Sequence, residues 1–411
     1  MSSVLKINEK NVFHNLLNLP QIVFEVTDLC NLNCTYCCYG KLYDGYDKRE
    51  GKRMSFDDVK TILDYLIKIW KENYVPGLTH PLTIGFYGGE PLLNMPLIKK
   101  IVAYLENTKK TGKKFFFNMT TNALLLDKYM DYLVEKDISL LISFDGDEQG
   151  QSYRIDATGK NSFSRVYKNI QMLEMKYPDY FEKKVSFNSV LHNRNSSESV
   201  KSFLSTNFKK VPSTSYMDNY GIRKGMESEF KTMSQSNITL KKITPFSSKN
   251  KRDEINSGAL TTMAEYIFKN GNVYNTYNEL FNIPSKKKVI FTGTCLPFAK
   301  KMFVTVNGKI LPCERIDQKN YHGLIQNGEL KMDLHKIADT YNKKLIKQFS
   351  ECKFCAANTD CSQCVYKIEK SSSCPGFSTV EIMEKKKKAC INLLRDNPSF
   401  YNYILDNVTL R

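Results

Sequence analysis

The sequence predicts an α/β fold in which helices flank a parallel sheet, and two observations carry that prediction. In the first half of the chain, short apolar runs alternate with amphipathic segments of helical period. Each apolar run is rich in Val, Ile, Phe or Leu and is closed by turn residues, which is typical of buried strands. Repeated units of strand and helix place successive strands parallel to one another through right-handed crossovers.

Five strands are predicted in order: Gln21–Val26, Leu82–Tyr87, Lys114–Thr120, Ser139–Phe144 and Lys184–Leu191. The predicted helices are Ser55–Trp70, Met95–Glu106, Leu126–Glu135, Ser162–Met175 and Ser197–Ser205. From about residue 207 to 290 the chain is polar and carries one helical pattern, at Leu260–Lys269. Met302–Glu314 predicts a hairpin, because the pair Asn307-Gly308 favours a two-residue turn. The segment Thr379–Val408 is predicted to be helical.

Composition restricts the class of protein. The 411 residues are 41% hydrophobic, and no apolar run approaches the roughly 18 to 20 residues of a membrane-spanning helix. Residues 1–11 lack the pattern of a secretory signal, so we expect a cytoplasmic enzyme without a membrane partner. Sixty Lys and Arg against 43 Asp and Glu give a net charge of +17. The lysines occur in short scattered runs, so we interpret the excess as solvated surface and expect no nucleic-acid partner.

Twelve cysteines form two separate groups along the chain. Four lie between residues 30 and 38, the other eight follow residue 294, and none lies between them. In a chain without an export signal, thiols are more often metal ligands or redox groups than disulfides. The segregation predicts two separate metal-binding regions.

The first group has the spacing C-x3-C-x2-C, at Cys30, Cys34 and Cys37, directly after the first predicted strand. Three thiolates on one tight loop can hold three corners of a cubane [4Fe-4S] cluster and leave one iron open to a ligand. A zinc site completed by Cys38 or by a distant His is the alternative.

This loop, with an aromatic residue at Tyr36, resembles that of the radical S-adenosylmethionine (SAM) enzymes. Further matches follow in the family's order: Gly88-Gly89-Glu90-Pro91, Thr120-Thr121-Asn122, Ser143-Phe144-Asp145-Gly146 and Arg154. The resemblance spans about residues 20 to 200 and implies a partial (β/α)6 TIM-like barrel with SAM on the fourth iron. The residues that it places against SAM are Tyr36, Gly88, Gly89, Glu90, Asn122, Ser143 and Arg154. Among them Glu90 would accept the ammonium, Ser143 would contact the ribose and Arg154 the carboxylate.

The later cysteines resemble the SPASM extension of peptide-modifying radical SAM enzymes, which holds two auxiliary [4Fe-4S] clusters. The resemblance places Cys352, Cys355, Cys361 and Cys374 in one cluster. It assigns Cys295, Cys313 and Cys364 to the other, where one iron has no evident cysteine. The two residues between Cys361 and Cys364 are three in many members, and a zinc knuckle at 352–364 is the alternative. For Cys38 and Cys390 we expect buried free thiols.

The resemblance implies reductive cleavage of SAM to a 5′-deoxyadenosyl radical, with electrons from a low-potential donor such as a flavodoxin or ferredoxin. We expect oxidation of a ribosomally made precursor peptide, most simply a crosslink between side chains. Sulfatase maturation to formylglycine is an alternative, in which Glu314 stands where that family has an aspartate thought to act as base. A non-catalytic iron-sulfur or zinc protein is the third interpretation.

The predicted domains are a radical SAM barrel at 1–206, a bridging region at 207–290, a SPASM domain at 291–390 and a C-terminal helix at 391–411. Only 29 residues precede Cys30. We therefore expect a peptide leader to bind the bridging region, the C-terminal helix or a separate protein.

Overall fold

A computed structural model of the protein describes residues 6–75, 80–234, 296–356, 363–368, 374, 376–396, 398 and 401. The described residues of 7–234 and 296–342 form one compact unit, and those after residue 342 belong to a second. Among the described helices, none has both the length and the apolar composition needed to cross a bilayer. The predicted helix at Leu260–Lys269 and the masked part of the bridging region lie outside the described residues.

A mixed sheet forms the centre of the larger unit. Its strands are β1 Gln21–Thr27, β2 His80–Gly88, β3 Lys113–Thr121, β4 Ser139–Ser143, β5 Val185–Leu191, β6 Ser213–Tyr216, β7 Met302–Val304, β8 Lys309–Leu311, β9 Gly323–Gln326 and β10 Glu329–Lys331. They lie in the order β10-β9-β8-β7-β1-β2-β3-β4-β5-β6. Strands β1 to β6 are parallel, and β7 is parallel to β1 on its other side. The predicted α/β class with a parallel sheet is confirmed, and the sheet is open rather than closed.

The described helices are α1 Glu9–Leu17, α2 Phe56–Glu72, α3 Met95–Glu106, α4 Leu126–Glu135, α5 Phe163–Lys176, α6 Pro178–Lys184, α7 Ser197–Phe208, α8 Glu227–Met233, α9 Leu334–Cys352, α10 Val365–Ile368 and α11 Val380–Asp396. Helix α2 begins where the sequence predicts, since the Ser55 side chain accepts a hydrogen bond from the Asp58 N–H at 3.1 Å. Helices α3 and α4 have their predicted bounds.

The predicted hairpin forms, but with a different turn. Strands β7 and β8 pair antiparallel, with Val304 opposite Ile310. The Gly308 N–H donates to the Thr305 carbonyl at 2.9 Å, so the turn spans Thr305 to Gly308, and only Gly308 has a positive φ, of 76°. The two-residue turn predicted from Asn307-Gly308 is therefore wrong, because Asn307 does not adopt the positive φ that such a turn requires.

The two faces of the sheet differ in chemistry. On β1, Ile22, Phe24 and Val26 are completely buried beneath the helices. The opposite face, which we call the polar face, is half-buried and carries one side chain or more from each of β2 to β5: Tyr87, Asn118, Thr120, Ser143 and Asn188. Because ligand sites in parallel sheets lie at the carboxyl ends of the strands, this polar face and the loops that follow it position the site.

Candidate active site

The loop of the first cysteine group follows β1 and is anchored to the chain after β4. Asn33 N–H donates to the Ile155 carbonyl at 2.6 Å, and Thr35 N–H donates to the Tyr153 carbonyl at 3.0 Å. Within the loop, Cys37 N–H donates to the Cys34 carbonyl at 3.0 Å. The loop is thus a tight turn fixed at the carboxyl edge of the parallel strands.

The three thiols differ in exposure and in acidity. Cys30 is exposed, while Cys34 and Cys37 are half-buried. The surrounding protein atoms partly desolvate the Cys30 sulfur, although the residue keeps exposed surface, and this raises its pKa to about 11; burial raises the pKa of Cys34 to about 12. A hydrogen bond from the Cys38 thiol lowers the pKa of Cys37 to about 6. Cys38 was expected to be buried but is half-buried, and it packs against a cluster that includes Tyr36, Tyr43 and Tyr153.

The donor set of the loop fits an iron-sulfur cluster. Soft thiolate ligands select Fe-S clusters, and three of them leave one iron open. Across the described ranges, no three His, Cys, Asp or Glu side chains already stand in metal-ligand geometry. The fit therefore rests on the chemistry and spacing of the three thiols, and their role as ligands stays a prediction.

The predicted glycine pair lies against the backbone that leads into this loop. A Cβ on Gly89 would lie 2.0 Å from the Leu29 carbonyl oxygen. Gly88 has a φ of 134°, and its Cβ would lie 2.2 Å from the Thr27 carbonyl oxygen. Only glycine lets β2 end this close to β1. The two glycines position the chain just before Cys30, which is a structural task besides the predicted approach to SAM.

Glu90 is completely buried at the end of β2. Its carboxylate accepts hydrogen bonds from Leu92 N–H at 3.1 Å, Thr121 Oγ1 at 2.7 Å and Asn122 N–H at 2.8 Å. Burial raises its pKa to about 7, although these three donors oppose the shift. The contacts of Glu90 join the ends of β2 and β3, and its predicted contact with the SAM ammonium stays a prediction.

Asn122 connects this junction to the cysteine loop. Its Nδ2 lies 3.8 Å from Cys30 Sγ and donates to Asn31 Oδ1 at 2.8 Å. Of the residues predicted to contact SAM, Asn122 is thus in direct contact with a predicted cluster ligand.

Asp145 is the centre of a buried network that the sequence did not predict. Its carboxylate accepts hydrogen bonds from the Tyr36 hydroxyl, from Arg154 Nε at 2.8 Å and Nη2 at 3.2 Å, and from Val190 N–H at 2.9 Å. His192 Nε2 lies 3.9 Å away. Asp145 has no exposed surface and the Arg154 side chain is 8% exposed, so this is a buried ion pair. It connects the cysteine loop to the ends of β4 and β5.

Two of the residues predicted to contact SAM, Tyr36 and Arg154, belong to this network through their hydrogen bonds to Asp145. Arg154 directs its Nε and Nη2 at Asp145, and its guanidinium carbon lies 5.5 Å from the centre of the Tyr36 ring. Ser143 is half-buried at the end of β4, on the polar face. The structure thus brings Tyr36, Arg154 and Ser143 to one edge of the sheet, and their contacts with SAM remain predictions. Asp145 could have been found from its place directly after a predicted strand.

Glu314 forms an ion pair with Lys301, a residue to which the sequence assigned no role. Lys301 Nζ lies 3.0 and 3.1 Å from the two carboxylate oxygens. Burial is the largest single influence and raises the pKa of Glu314, but the Lys301 ammonium, a backbone hydrogen bond and the charge of Arg315 together outweigh it, so the pKa lies below its usual value. The carboxylate interacts electrostatically with Tyr87 of the polar face and with Tyr46. Glu314 therefore lies beside the sheet and is ionised at neutral pH.

The predicted auxiliary ligands fall into both units. In the larger unit, Cys313 Sγ lies 3.5 Å from Glu314 Oε2. In the smaller unit, Cys374 N–H donates to Glu351 Oε1 at 2.9 Å, next to Cys352 in the chain. Cys355 Sγ accepts a hydrogen bond from Ser378 N–H at 3.4 Å. Cys364 directly precedes α10, and both Cys295 and Cys361 lie outside the described residues.

Comparison with known proteins identifies the part of the chain that carries this site. Residues 24–205 match the family model of the radical SAM superfamily. This segment is a radical SAM domain. The superfamily uses SAM together with a [4Fe-4S] cluster, in agreement with the cysteine loop.

Curated relatives share this domain. The chain is 27% identical over 177 residues to the radical SAM cyclopropyl synthase TigE of Paramaledivibacter caminithermalis, covering 42% of this chain and 35% of that protein. It is 26% identical over 169 residues to a cysteine-type anaerobic sulfatase-maturating enzyme of Clostridium novyi, covering 40% and 42%. The chain thus spans less than half the length of these relatives.

The fold is similar to that of a solved structure over almost all of the chain. The structure of native anSMEcpe with bound AdoMet and Cp18Cys peptide aligns with a TM-score of 0.58 and 18% identity. The alignment covers 94% of this chain and 99% of that one. At this identity the likeness concerns the fold alone.

Proposed function

We propose that the protein is a radical SAM peptide maturase that oxidatively modifies, and most simply crosslinks, a ribosomally made peptide. The observation that carries the proposal is the loop of Cys30, Cys34 and Cys37, fixed at the carboxyl edge of the parallel strands inside the radical SAM domain. The peptide substrate is supported by the peptide bound in the similar solved structure and by the relatives that mature sulfatases.

When bound, the cluster and SAM supply one-electron cleavage of the sulfonium and a carbon-centred radical that abstracts hydrogen. The chain contributes three thiolates from the loop, and it places Tyr36, Glu90 and Arg154 around them. Asp145 keeps Arg154 ionised and oriented through two parallel hydrogen bonds, and it accepts a further hydrogen bond from the Tyr36 hydroxyl that orients the ring. The half-buried polar face provides a wall on which hydrogen-bonding groups can orient a peptide.

Two auxiliary clusters belong to the proposal. Cys352, Cys355, Cys361 and Cys374 would hold one, and Cys295, Cys313 and Cys364 would hold the other. The hydrogen bonds to Cys374 and Cys355 bring these parts of the chain together in the smaller unit, which supports the first set. After hydrogen abstraction the peptide radical must lose one more electron to reach the oxidised product, and the auxiliary clusters would be the groups suited to accept that electron. A flavodoxin or ferredoxin would deliver the first electron.

Formylglycine formation in a sulfatase is the second candidate, and Glu314 is the observation that favours it. The carboxylate is ionised and lies close enough to Tyr87 of the polar face to interact with it electrostatically. An ionised carboxylate can remove a proton from a substrate after hydrogen abstraction. The same role would serve peptide crosslinking, so Glu314 is the proposed base in either reaction.

The proposal is tested with anaerobically purified and reconstituted protein. Replacing Cys30, Cys34 and Cys37 together with Ala should remove one [4Fe-4S] cluster of three and all reductive cleavage of SAM. The matched control is Cys390→Ala, which removes a buried thiol outside the predicted cluster ligands and should change neither. Iron, sulfide and 5′-deoxyadenosine are measured in each protein.

Three results would refute the proposal. SAM cleavage retained in the triple variant would contradict the assignment of the loop. Zinc without iron in the wild-type protein would favour the structural zinc interpretation. Clusters without SAM cleavage would favour a non-catalytic iron-sulfur protein.

A further inference from the structure

Arg49 connects the two ends of the cysteine loop. Its Nη1 donates to the Asp28 carbonyl at 2.7 Å, two residues before Cys30. Its guanidinium carbon lies 3.9 Å from the centre of the Tyr39 ring, two residues after Cys37. One planar side chain thus braces the residues that enter and leave the loop.

The neighbouring backbone strengthens this brace on the entering side. Glu50 N–H donates to Asp28 Oδ2 at 2.9 Å, and Asp28 N–H donates to the Lys52 carbonyl at 3.1 Å. The segment that carries Arg49 is therefore held against the start of the loop by hydrogen bonds of its own. These hydrogen bonds fix the position of the guanidinium, which does not move freely as the end of a surface side chain would.

One edge of the Arg49 guanidinium is buried without a partner. Its Nε and Nη2 are inaccessible, and neither has a hydrogen-bond acceptor in the described part of the chain. These two atoms form the side-on edge that matches a bidentate acceptor, the same edge that Arg154 directs at Asp145. A buried charged donor without a hydrogen-bond acceptor lowers the stability of the folded protein. We therefore expect a bound group, rather than a protein side chain, to supply the acceptor.

The groups around this edge identify the acceptor. The guanidinium interacts electrostatically with the sulfur atoms of Cys30, Cys37 and Cys38. The buried carboxyl of Glu25 is also within electrostatic range, but its Oε2 accepts from Val306 N–H at 3.1 Å. A [4Fe-4S] cluster on three thiolates carries net negative charge and many sulfur acceptors, and hydrogen bonds to sulfur help to set its reduction potential.

We propose that Arg49 is a positioning residue for the SAM-binding cluster, which it stabilises in the reduced form by directing its side-on edge at the cluster sulfur atoms. The inference rests on the proposed function, because it requires a cluster on this loop. Reduction adds one negative charge, so a neighbouring guanidinium favours the reduced form and raises the potential.

The test is a redox titration of the reconstituted full chain, followed by the electron paramagnetic resonance signal that changes when SAM is added. Arg49→Gln should shift the reduction equilibrium about tenfold toward the oxidised cluster, which is about 59 mV for one electron. Arg49→Lys keeps the charge but loses the planar edge, and it should also lower the potential. The matched control is Arg53→Gln, which removes an exposed guanidinium four residues away and should leave the potential unchanged.

Each outcome decides the proposal. A wild-type potential in Arg49→Gln overturns it, and so does an equal shift in Arg53→Gln. If Arg49→Gln retains no iron, Arg49→Lys decides, and a wild-type potential there overturns the proposal. A wild-type protein with no SAM-responsive iron-sulfur signal would refute the proposed function itself, whereas unchanged potentials in sound clusters refute this inference alone.

Discussion

Replacing Asp145 with Asn is expected to destabilise the larger unit strongly. Each carboxylate oxygen accepts two hydrogen bonds: Oδ1 from Val190 N–H and Arg154 Nη2, and Oδ2 from the Tyr36 hydroxyl and Arg154 Nε. In either orientation, the Asn amide puts an NH2 group where two donors point, and it leaves the Arg154 charge without a counter-charge. Removing one partner of a buried ion pair costs about 3–5 kcal/mol in the free energy of unfolding.

The measurement is urea denaturation followed by the fluorescence of Trp70, the single tryptophan of the chain. Trp70 is buried in the larger unit, and its Nε1 donates to the Leu16 carbonyl at 3.0 Å. The matched control is Asp131→Asn, which breaks an exposed ion pair with Lys176 of 2.7 Å and should leave the transition unchanged. A loss below about 1 kcal/mol in Asp145→Asn, the size of an exposed pair, would refute the buried-network reasoning.

Three further predictions concern the base, a buried carboxyl and the net charge. Glu314→Gln should leave clusters and 5′-deoxyadenosine intact while suppressing modified peptide, because the amide keeps the shape and loses basicity; unchanged product would remove Glu314 from the mechanism. Burial raises the pKa of Glu25 to about 7 from an ordinary 4.5. The contribution of protonated Glu25 to the free energy of unfolding is complete below pH 4.5 and is lost as pH rises through 7. The free energy of unfolding of the wild type relative to Glu25→Gln should therefore fall from pH 5 to pH 8. A difference in this free energy that stays constant with pH would contradict the burial argument. If the net charge of +17 serves to bind an acidic peptide, the affinity of the protein for that peptide, measured by titration, should fall steeply as salt is added. An affinity that does not change with salt would support the interpretation of the excess charge as solvated surface.

The elements that could be predicted are those that bury a continuous apolar stripe. Helices α3 and α4 have the bounds that periodicity predicts, because their apolar faces pack beneath the sheet. Helix α1 was missed since it buries only Val12 and Leu16, too few positions to establish a period. Strand β6, with the sequence STSY, was missed because an exposed edge strand has no apolar alternation.

The candidate site was predictable only where its chemistry is local in sequence. Three cysteines within eight residues predict a metal-binding loop without any knowledge of the fold. The sequence alone assigns no role to Asp145, Lys301 or Arg49, because the contacts that define their roles are with residues distant in the sequence. The contact of Asp145 with Tyr36 joins residues 109 positions apart, and no pattern in the sequence indicates it.

The parallel pairing of β7 with β1 makes β1, the strand that precedes the cysteine loop, an interior strand. Ile22 to Phe24 of β1 lie opposite Met302 to Val304. A chain truncated after residue 206, the end of the predicted first domain, would lose β7 and leave this apolar strand with a row of unpaired N–H and C=O groups. Such an edge is a template on which a second copy can pair, so the shortened protein would be prone to aggregate. The late hairpin thus protects the first strand from intermolecular association.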